Sequence, residues 1–272
     1  MKIALIADIH ANLHAFEVVL AHAKAQAVET IWNLGDSVGY GAFPDEVVQR
    51  LRKDEVLSVV GNYDLRVLQF KDKKGKWRDK KAPEKYRGFE WTYEHLSKKN
   101  RKFLRFLSHE VRMKVRGHRI LLTHASPAAD DEALTAETPL ERLRELAAMA
   151  KADIVITGHS HRGFARQVGD VWFINPGSVG RPDDGDLRAS YAILQVERNS
   201  VAVEHFRLNY DVERAVYAVR AAKLPELFAQ MLAQGHGLET TAALLEEQAS
   251  AEANQAAAPS PAQPPAEPPP AP

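Results

Sequence analysis

The sequence predicts an α/β fold, built either as one mixed sheet or as two packed sheets with helices outside. Three observations lead there. Short apolar runs alternate with helix-periodic segments as far as residue 60, and residues 65–110 break that alternation with helical patterning. Beyond residue 118, segments rich in β-formers follow one another with turn dipeptides between them.

Lys2–Ala7 is a short apolar run that reads as a buried strand and closes on Asp8-Ile9-His10. Leu13, Phe16, Leu20 and Ala23 then recur near helical spacing, so residues 12–25 form a helix with its apolar stripe on the sheet. Thr30–Leu34 repeats the strand and ends at Gly35-Asp36. Ser37–Phe43 is a glycine-containing loop, and Pro44 suits the first turn of a helix carrying Val47, Val48 and Leu51. Glu55–Val60 is a third strand, ended by Gly61-Asn62-Tyr63-Asp64. Three successive strands thus present a polar residue just past the carboxyl end, where open α/β sheets bind ligands.

Residues 65–110 read as a helical insertion, a cap lying over that edge. Phe89, Tyr93 and Leu96 mark one helix, and Asn100 stands as the cap of a second carrying Phe103, Leu104 and Leu107. Lys71–Lys81 holds seven basic residues against two acidic ones and reads as a solvated loop or helix end. Strands resume at Arg119–Thr123, which runs into His124-Ala125-Ser126-Pro127. Thr138-Pro139-Leu140-Glu141 has the form of a capping box, with Leu140, Leu143 and Leu146 on one helix face.

Asp153–His161 is four strand-forming residues, a glycine and two imidazoles spaced i, i+2, so the strand delivers both His159 and His161 to one sheet edge. Gly163–Val168, Val171–Ile174, Ser190–Val196 and Val201–Phe206 follow as strands, with Gly169-Asp170 and Arg198-Asn199 as hairpin signals, in an antiparallel meander. Val212–Leu232 is helical and broken at Pro225. Residues 1–235 form the domain, while 236–272 are dominated by Ala, Pro, Glu, Gln and Ser and read as a largely disordered tail with polyproline character.

Lys+Arg and Asp+Glu both number 36, so no global field argues for nucleic acid or a membrane surface. Cysteine is absent, which excludes disulfides and thiolate metal sites and leaves His, Asp, Asn and Glu as the available ligands. No apolar run approaches the roughly 20 residues of a membrane span, and none has the form of a signal peptide; the reading is a cytoplasmic protein.

Seven residues sit directly after predicted strands: Asp8, His10, Asp36, Asn62, His124, His159 and His161. Singly, Asp8 and Asp36 also read as helix caps, Asn62 as a left-handed turn residue and His124 as a core histidine. As an ordered set they read as a metal site. Carboxylate and amide oxygens mixed with imidazoles suit manganese, iron, zinc or nickel, and seven ligands suit two ions sharing a carboxylate.

The set Asp8-x-His10, Gly35-Asp36, Gly61-Asn62, His124 and Gly158-His159-Ser160-His161 resembles the calcineurin-like metallophosphoesterase superfamily over residues 1–210. Asn175-Pro176-Gly177-Ser178-Val179-Gly180 is similar to a motif of its small bacterial and archaeal phosphodiesterases. The resemblance implies a four-layer β-sandwich of two mixed sheets flanked by helices. It also implies a first metal on Asp8, His10 and His161, a second on Asn62, His124 and His159, and Asp36 bridging them. A hydroxide held between two divalent ions, manganese first among the candidates, would attack phosphorus in line.

Many members carry histidine directly after the asparagine, where this chain has Tyr63. A phenol with a pKa near 10 is a weak proton donor at neutral pH, which points to phosphodiesters with good or strained leaving groups, such as aryl esters or cyclic nucleotides. Asp36, Asn62, Tyr63 and His124 are the expected catalytic residues, and the partner is a small phosphoester substrate of nucleotide type. Phosphoprotein phosphatase, dinucleoside polyphosphate hydrolase, nuclease and non-catalytic scaffold are the alternatives within this fold; a homo-oligomer is compatible with all of them. Arg162 and Arg181 stand as phosphate contacts or solvated surface.

Overall fold

The computed structural model describes residues 1–257 of the 272-residue chain. In chain order its elements are β1 (Lys2–Ile6), α1 (Leu13–Ala25), β2 (Thr30–Asn33), α2 (Pro44–Lys53), β3 (Leu57–Ser58), α3 (Asn62–Arg78), α4 (Pro83–His95) and α5 (Lys98–Phe106). Then come β4 (Glu110–Val115), β5 (His118–Thr123), α6 (Leu140–Ala150), β6 (Ile154–Ile156), β7 (Phe164–Val168), β8 (Val171–Asn175), β9 (Ala189–Val196) and β10 (Val201–Leu208). Helices α7 (Val212–Ala221), α8 (Glu226–Gln234) and α9 (Leu238–Ala257) follow.

The strands form two mixed five-stranded sheets, β10-β9-β1-β2-β3 and β4-β5-β6-β8-β7. β1, β2 and β3 run parallel, and β9 joins them antiparallel to β1. In the second sheet β5, β6 and β8 are parallel, while β4 and β7 are antiparallel edges. The unbroken apolar run of β1 follows from burial on both faces. Ile3 and Leu5 meet Ile120, Leu122, Ile154 and Ile156 of the other sheet, whereas Ala4 and Ile6 pack under Phe16 and Val19 of α1 and Val47 and Leu51 of α2. On the far side Leu121, Val155 and Phe173 receive Leu143, Leu146 and Ala150 of α6. Helix, sheet, sheet, helix is therefore the layer order, as expected of a four-layer sandwich.

Several local expectations are corrected. The second half is not a single meander, since β8 pairs parallel with β6 and the β9–β10 hairpin returns to the first sheet. The strand at 55–60 shrinks to Leu57–Ser58, and β4 appears where no strand was expected. Its signal is the alternation of half-buried Val111, Met113 and Val115 with exposed charged neighbours, the pattern of a one-sided edge strand. His159 and His161 lie past β6 in a loop, and each takes a left-handed backbone rather than a strand conformation.

The insertion holds three helices rather than two, and Lys71–Arg78 is the solvent-facing second half of α3. Ser97, not Asn100, caps α5; its Oγ accepts from Asn100 N, while the buried Asn100 amide donates to Asp45 O and Oδ1. The capping box at Thr138 does not form, because Thr138 Oγ1 accepts from Thr135 N and α6 begins without a side-chain cap. Leu140 stays 39% exposed while Leu143 and Leu146 are buried. Residues 238–257 form α9 instead of irregular tail, anchored by buried Leu238 and Thr241; the remaining Pro-rich residues, 258–272, lie outside the described residues. Among the described residues no helix is long and apolar enough to cross a membrane.

Candidate metal centre

Each parallel strand of the first sheet stops at the same edge, and the residue that follows turns inward. β1 delivers Asp8 and His10, β2 delivers Asp36, and the short β3 leads into Asn62 at the start of α3. β5 and β6 of the second sheet end at the facing edge with His124 and with His159 and His161. Asp8, His10, Asp36, His159 and His161 all have positive φ, between 48° and 67°. Non-glycine residues hold that conformation only where the surroundings enforce it, and here it concentrates on the polar cluster.

Close approach of backbone fixes the carboxylate. Gly61 N donates to Asp64 Oδ2 at 3.1 Å, and a Cβ on Gly61 would stand 2.1 Å from Asp36 Oδ1. Asp36 Oδ1 accepts from Tyr63 N at 2.7 Å, so only Oδ2 is free to face the centre. Asp64, fully buried, also accepts from Val38 N at 3.1 Å and thereby ties α3 to the Asp36 loop. Burial and the neighbouring Asp36 push the Asp64 carboxyl up to about 7.

Three imidazoles present the same nitrogen inward. His10 Nδ1 lies 3.3 Å from Val38 O, His124 Nδ1 2.7 Å from Leu34 O, and His161 Nδ1 2.6 Å from Arg181 O. A carbonyl only accepts, so each Nδ1 carries a proton and each Nε2 is the atom left to bind a cation once it holds no proton, the usual outer-shell arrangement of metal-binding histidine. The Nε2 atoms of His10 and His161 stand 3.2 Å apart. Two facing lone pairs need a proton or a cation between them.

Asp8 Oδ1 lies 3.4 Å from His161 Nε2 and 4.0 Å from His10 Nε2. Asp36 Oδ2 lies 3.5 Å from His124 Nε2 and 3.9 Å from His10 Nε2. Two groups therefore have donor atoms close enough to share an ion: Asp8, His10 and His161, and Asp8, Asp36 and His124. Asp8 belongs to both groups, and Asp36 Oδ2, the carboxylate expected to be shared, also reaches toward both sets of imidazoles. Asp8 Oδ1, Asn62 Oδ1 and His124 Nε2 are buried with no hydrogen-bond partner. Orphaned buried acceptors are rare, and a divalent cation is the partner this donor set fits. His159 lies further out, its ring centroid 5.1 Å from that of His124 and its Nε2 3.3 Å from Asp131 O.

Burial pushes His10 down to about 3 against the pull of Asp36, so it is neutral and ready to ligate. His124 is equally buried, but Asp36 and Asp8 overcome the burial and hold it up to about 10. Burial raises Tyr63, and the adjoining Tyr40 raises it further. Sequence reasoning missed Tyr40. Its hydroxyl pairs with that of Tyr63, and both rings meet His10 edge-on at 5.2 and 5.3 Å. The one available signal was its place in the glycine-containing loop after Asp36. Arg162 is exposed, near Asp183, whereas Arg181 is half-buried against the centre.

Carboxylates and imidazoles gathered at the carboxyl edge of a two-sheet α/β sandwich define a metallophosphoesterase. The family model of the calcineurin-like phosphoesterase superfamily domain matches residues 1–199, and the chain belongs to that superfamily. An uncharacterized protein of Methanocaldococcus jannaschii is 32% identical over 252 residues, covering 86% of this chain and 98% of that protein. Phosphodiesterase YfcE of Escherichia coli K12 is 27% identical over 215 residues, covering 74% of this chain and 91% of YfcE. The crystal structure of a metallophosphoesterase from Sphaerobacter thermophilus superposes with a TM-score of 0.70 at 28% identity, covering 86% of this chain and all of that one.

Proposed function

We propose that this protein is a dinuclear, divalent-metal-dependent phosphodiesterase of the cytoplasm that hydrolyses small or cyclic nucleotide-type phosphodiesters. The observation that carries this reading is the position of Asp36 Oδ2, 3.9 Å from His10 Nε2 and 3.5 Å from His124 Nε2, so that one carboxylate serves both halves of the cluster. Asp8, His10 and His161 would hold one ion and Asn62, His124 and His159 the other, with Asp36 available to both; manganese is the first candidate, then iron, nickel or zinc. Two such ions supply Lewis acidity and activate water for attack on phosphorus.

The chain's own residues set the rest. Val38, Leu34 and Arg181 carbonyls lock three imidazoles with Nε2 inward. The Tyr63 phenol, bonded to Tyr40 and raised by burial, stays protonated at neutral pH and donates a hydrogen bond without giving up its proton. Leaving groups that depart without a strong acid are favoured, which is the property of aryl and strained cyclic diesters.

A second reading, a nuclease, is favoured by charge. Lys and Arg outnumber Asp and Glu 15 to 6 in residues 62–106, against 21 to 30 elsewhere. Metal analysis of the purified protein, followed by assay on an aryl phosphodiester, an aryl phosphomonoester, cyclic nucleotides and DNA, separates these. Bound divalent metal and preference for the small diesters are expected. Hydrolysis of monoesters alone, or no bound divalent metal, overturns the proposal, and preference for DNA establishes the second reading.

A further inference from the structure

Arg181 stands at the rim of the centre in a state that a bound cation would change. Its backbone is pinned from two sides: Arg181 N donates to Ser178 Oγ at 2.9 Å, and Arg181 O accepts from His161 Nδ1 at 2.6 Å. Its guanidinium lies over the Tyr40 ring, 4.8 Å from the centroid, and its Nη2 reaches His161 Nε2 at 3.3 Å. Its Nε is buried without a hydrogen-bond partner, and among the described residues no carboxylate pairs with it. A half-buried guanidinium with free donors, packed on an aromatic face, has lost part of its hydration without gaining a counter-charge.

The one acceptor Nη2 has is the nitrogen that faces Asp8 and His10. A cation held by those three residues takes the His161 Nε2 lone pair, and Nη2 is then left with no acceptor. The group that restores it is an anionic oxygen bound beside the cation. A phosphoryl group fits, because its oxygens match the planar fork of a guanidinium in a way the point charge of an ammonium does not.

We propose that Arg181 binds the non-reacting phosphoryl oxygens of the substrate, held in place by the Tyr40 ring, and so takes over the phosphate-binding part left vacant by Tyr63. This rests on the reading of the site as a phosphoesterase centre. Tyr63 cannot approach a phosphate as a cation, and its hydroxyl is already engaged by Tyr40. Arg181 provides the charge from over the Tyr40 ring, which adjoins that of Tyr63 at 4.9 Å between centroids. It belongs to the loop after Asn175-Pro176-Gly177-Ser178-Val179-Gly180, where Gly180 N donates to Asp8 O at 3.1 Å, so its position is coupled to the first carboxylate of the cluster.

The test uses the full chain loaded with manganese, with Arg181→Ala, Arg181→Lys and the parent compared side by side. Bound metal is counted by elemental analysis, inorganic phosphate binding is measured by titration calorimetry, and KM and kcat are measured on an aryl phosphodiester. Arg181→Ala is expected to keep the parent's metal content and to weaken phosphate binding by about 10- to 100-fold, the effect of losing a charge-assisted hydrogen-bond pair. KM rises with it, and Arg181→Lys recovers only part of the phosphate affinity. Unchanged phosphate affinity in Arg181→Ala overturns the proposal. So does loss of metal in both variants, which would make the guanidinium a support for His161 instead. A parent that binds phosphate through Arg181 yet hydrolyses no diester leaves the phosphate contact standing and removes the phosphodiesterase reading alone.

Discussion

Asp36 Oδ2 and His124 Nε2 stand 3.5 Å apart although they follow strands of different sheets. Each is buried, and burial alone would raise the one and lower the other; paired, Asp36 is held well below the usual carboxylate range and His124 up to about 10. The pair is the seam between the two halves of the cluster. Replacing Asp36 with Asn keeps the shape and removes the charge. Outer-shell changes alone cost 10- to 100-fold in metal affinity, so Asp36→Asn is expected to exceed about 100-fold in activity and to lower bound metal per chain, both readable on one preparation.

Gly61 is required by that carboxylate. Its Cβ position lies 2.1 Å from Asp36 Oδ1 and 2.2 Å from Asp36 N, neither of which belongs to a flexible chain end. Gly61→Ala should destabilise by about 1–3 kcal/mol in urea unfolding, as overpacking does, and should depress activity beyond that loss. A stable, fully active Gly61→Ala protein would show that the loop gives way more easily than the contacts indicate.

Asn175 governs the His159–His161 loop without facing the centre. Its Nδ2 donates to Gly158 O at 2.6 Å and Ser160 Oγ at 3.0 Å, and its Oδ1 accepts from Gly177 N at 2.8 Å. Asn175→Ala leaves buried polar groups unpaired, with an expected loss of about 1–3 kcal/mol in chemical denaturation. Metal affinity should fall by about 10- to 100-fold, measured by chelator competition.

Tyr63→His tests the leaving-group argument. A histidine can transfer a proton near neutral pH where the phenol cannot, so turnover should rise for diesters with poor leaving groups and change little for aryl diesters. A leaving-group series that is the same for both proteins would remove Tyr63 from the chemistry.

His205 predicts acid sensitivity. Its Nε2 donates to Asn175 O at 2.8 Å, and burial lowers its pKa from 6.5 despite that bond, with Arg207 lowering it further. Above pH 6.5 both folded and unfolded chains hold a neutral ring, and the group has no effect. Below it the unfolded chain takes up a proton that the folded chain resists, so stability falls as the pH drops. In His205→Gln, thermal melts at pH 7.5 and about 5.5 should differ less than in the parent.

The seven polar residues were legible because each directly follows an apolar run, and a strand signals itself through local periodicity. Tyr40 carried no such mark, and Asp64 and Arg181 could be named in the sequence but not given their partners. Tyr40 matters through the Tyr63 hydroxyl, Asp64 through Val38 N and Gly61 N, and Arg181 through His161, all relations between loops that no short window contains. The pairing of β9 with β1 was hidden for the same reason, since Ala4 meets Ile193 only because the sandwich brings the last hairpin back to the first strand.

By itself the sequence determined the α/β class, the order of the parallel strands and the helices between them, and which oxygen and nitrogen donors follow those strands, because backbone periodicity, turn chemistry and side-chain type are local properties; it did not mark β4, α3 or α9. Tertiary structure alone decided that these ends meet, that three imidazoles turn Nε2 inward, and that Asp8 belongs to both groups of donors. Distances between strand ends are set by how two apolar sheet faces pack, and ring orientation by carbonyls supplied from other loops. Both depend on contacts between residues far apart in the chain.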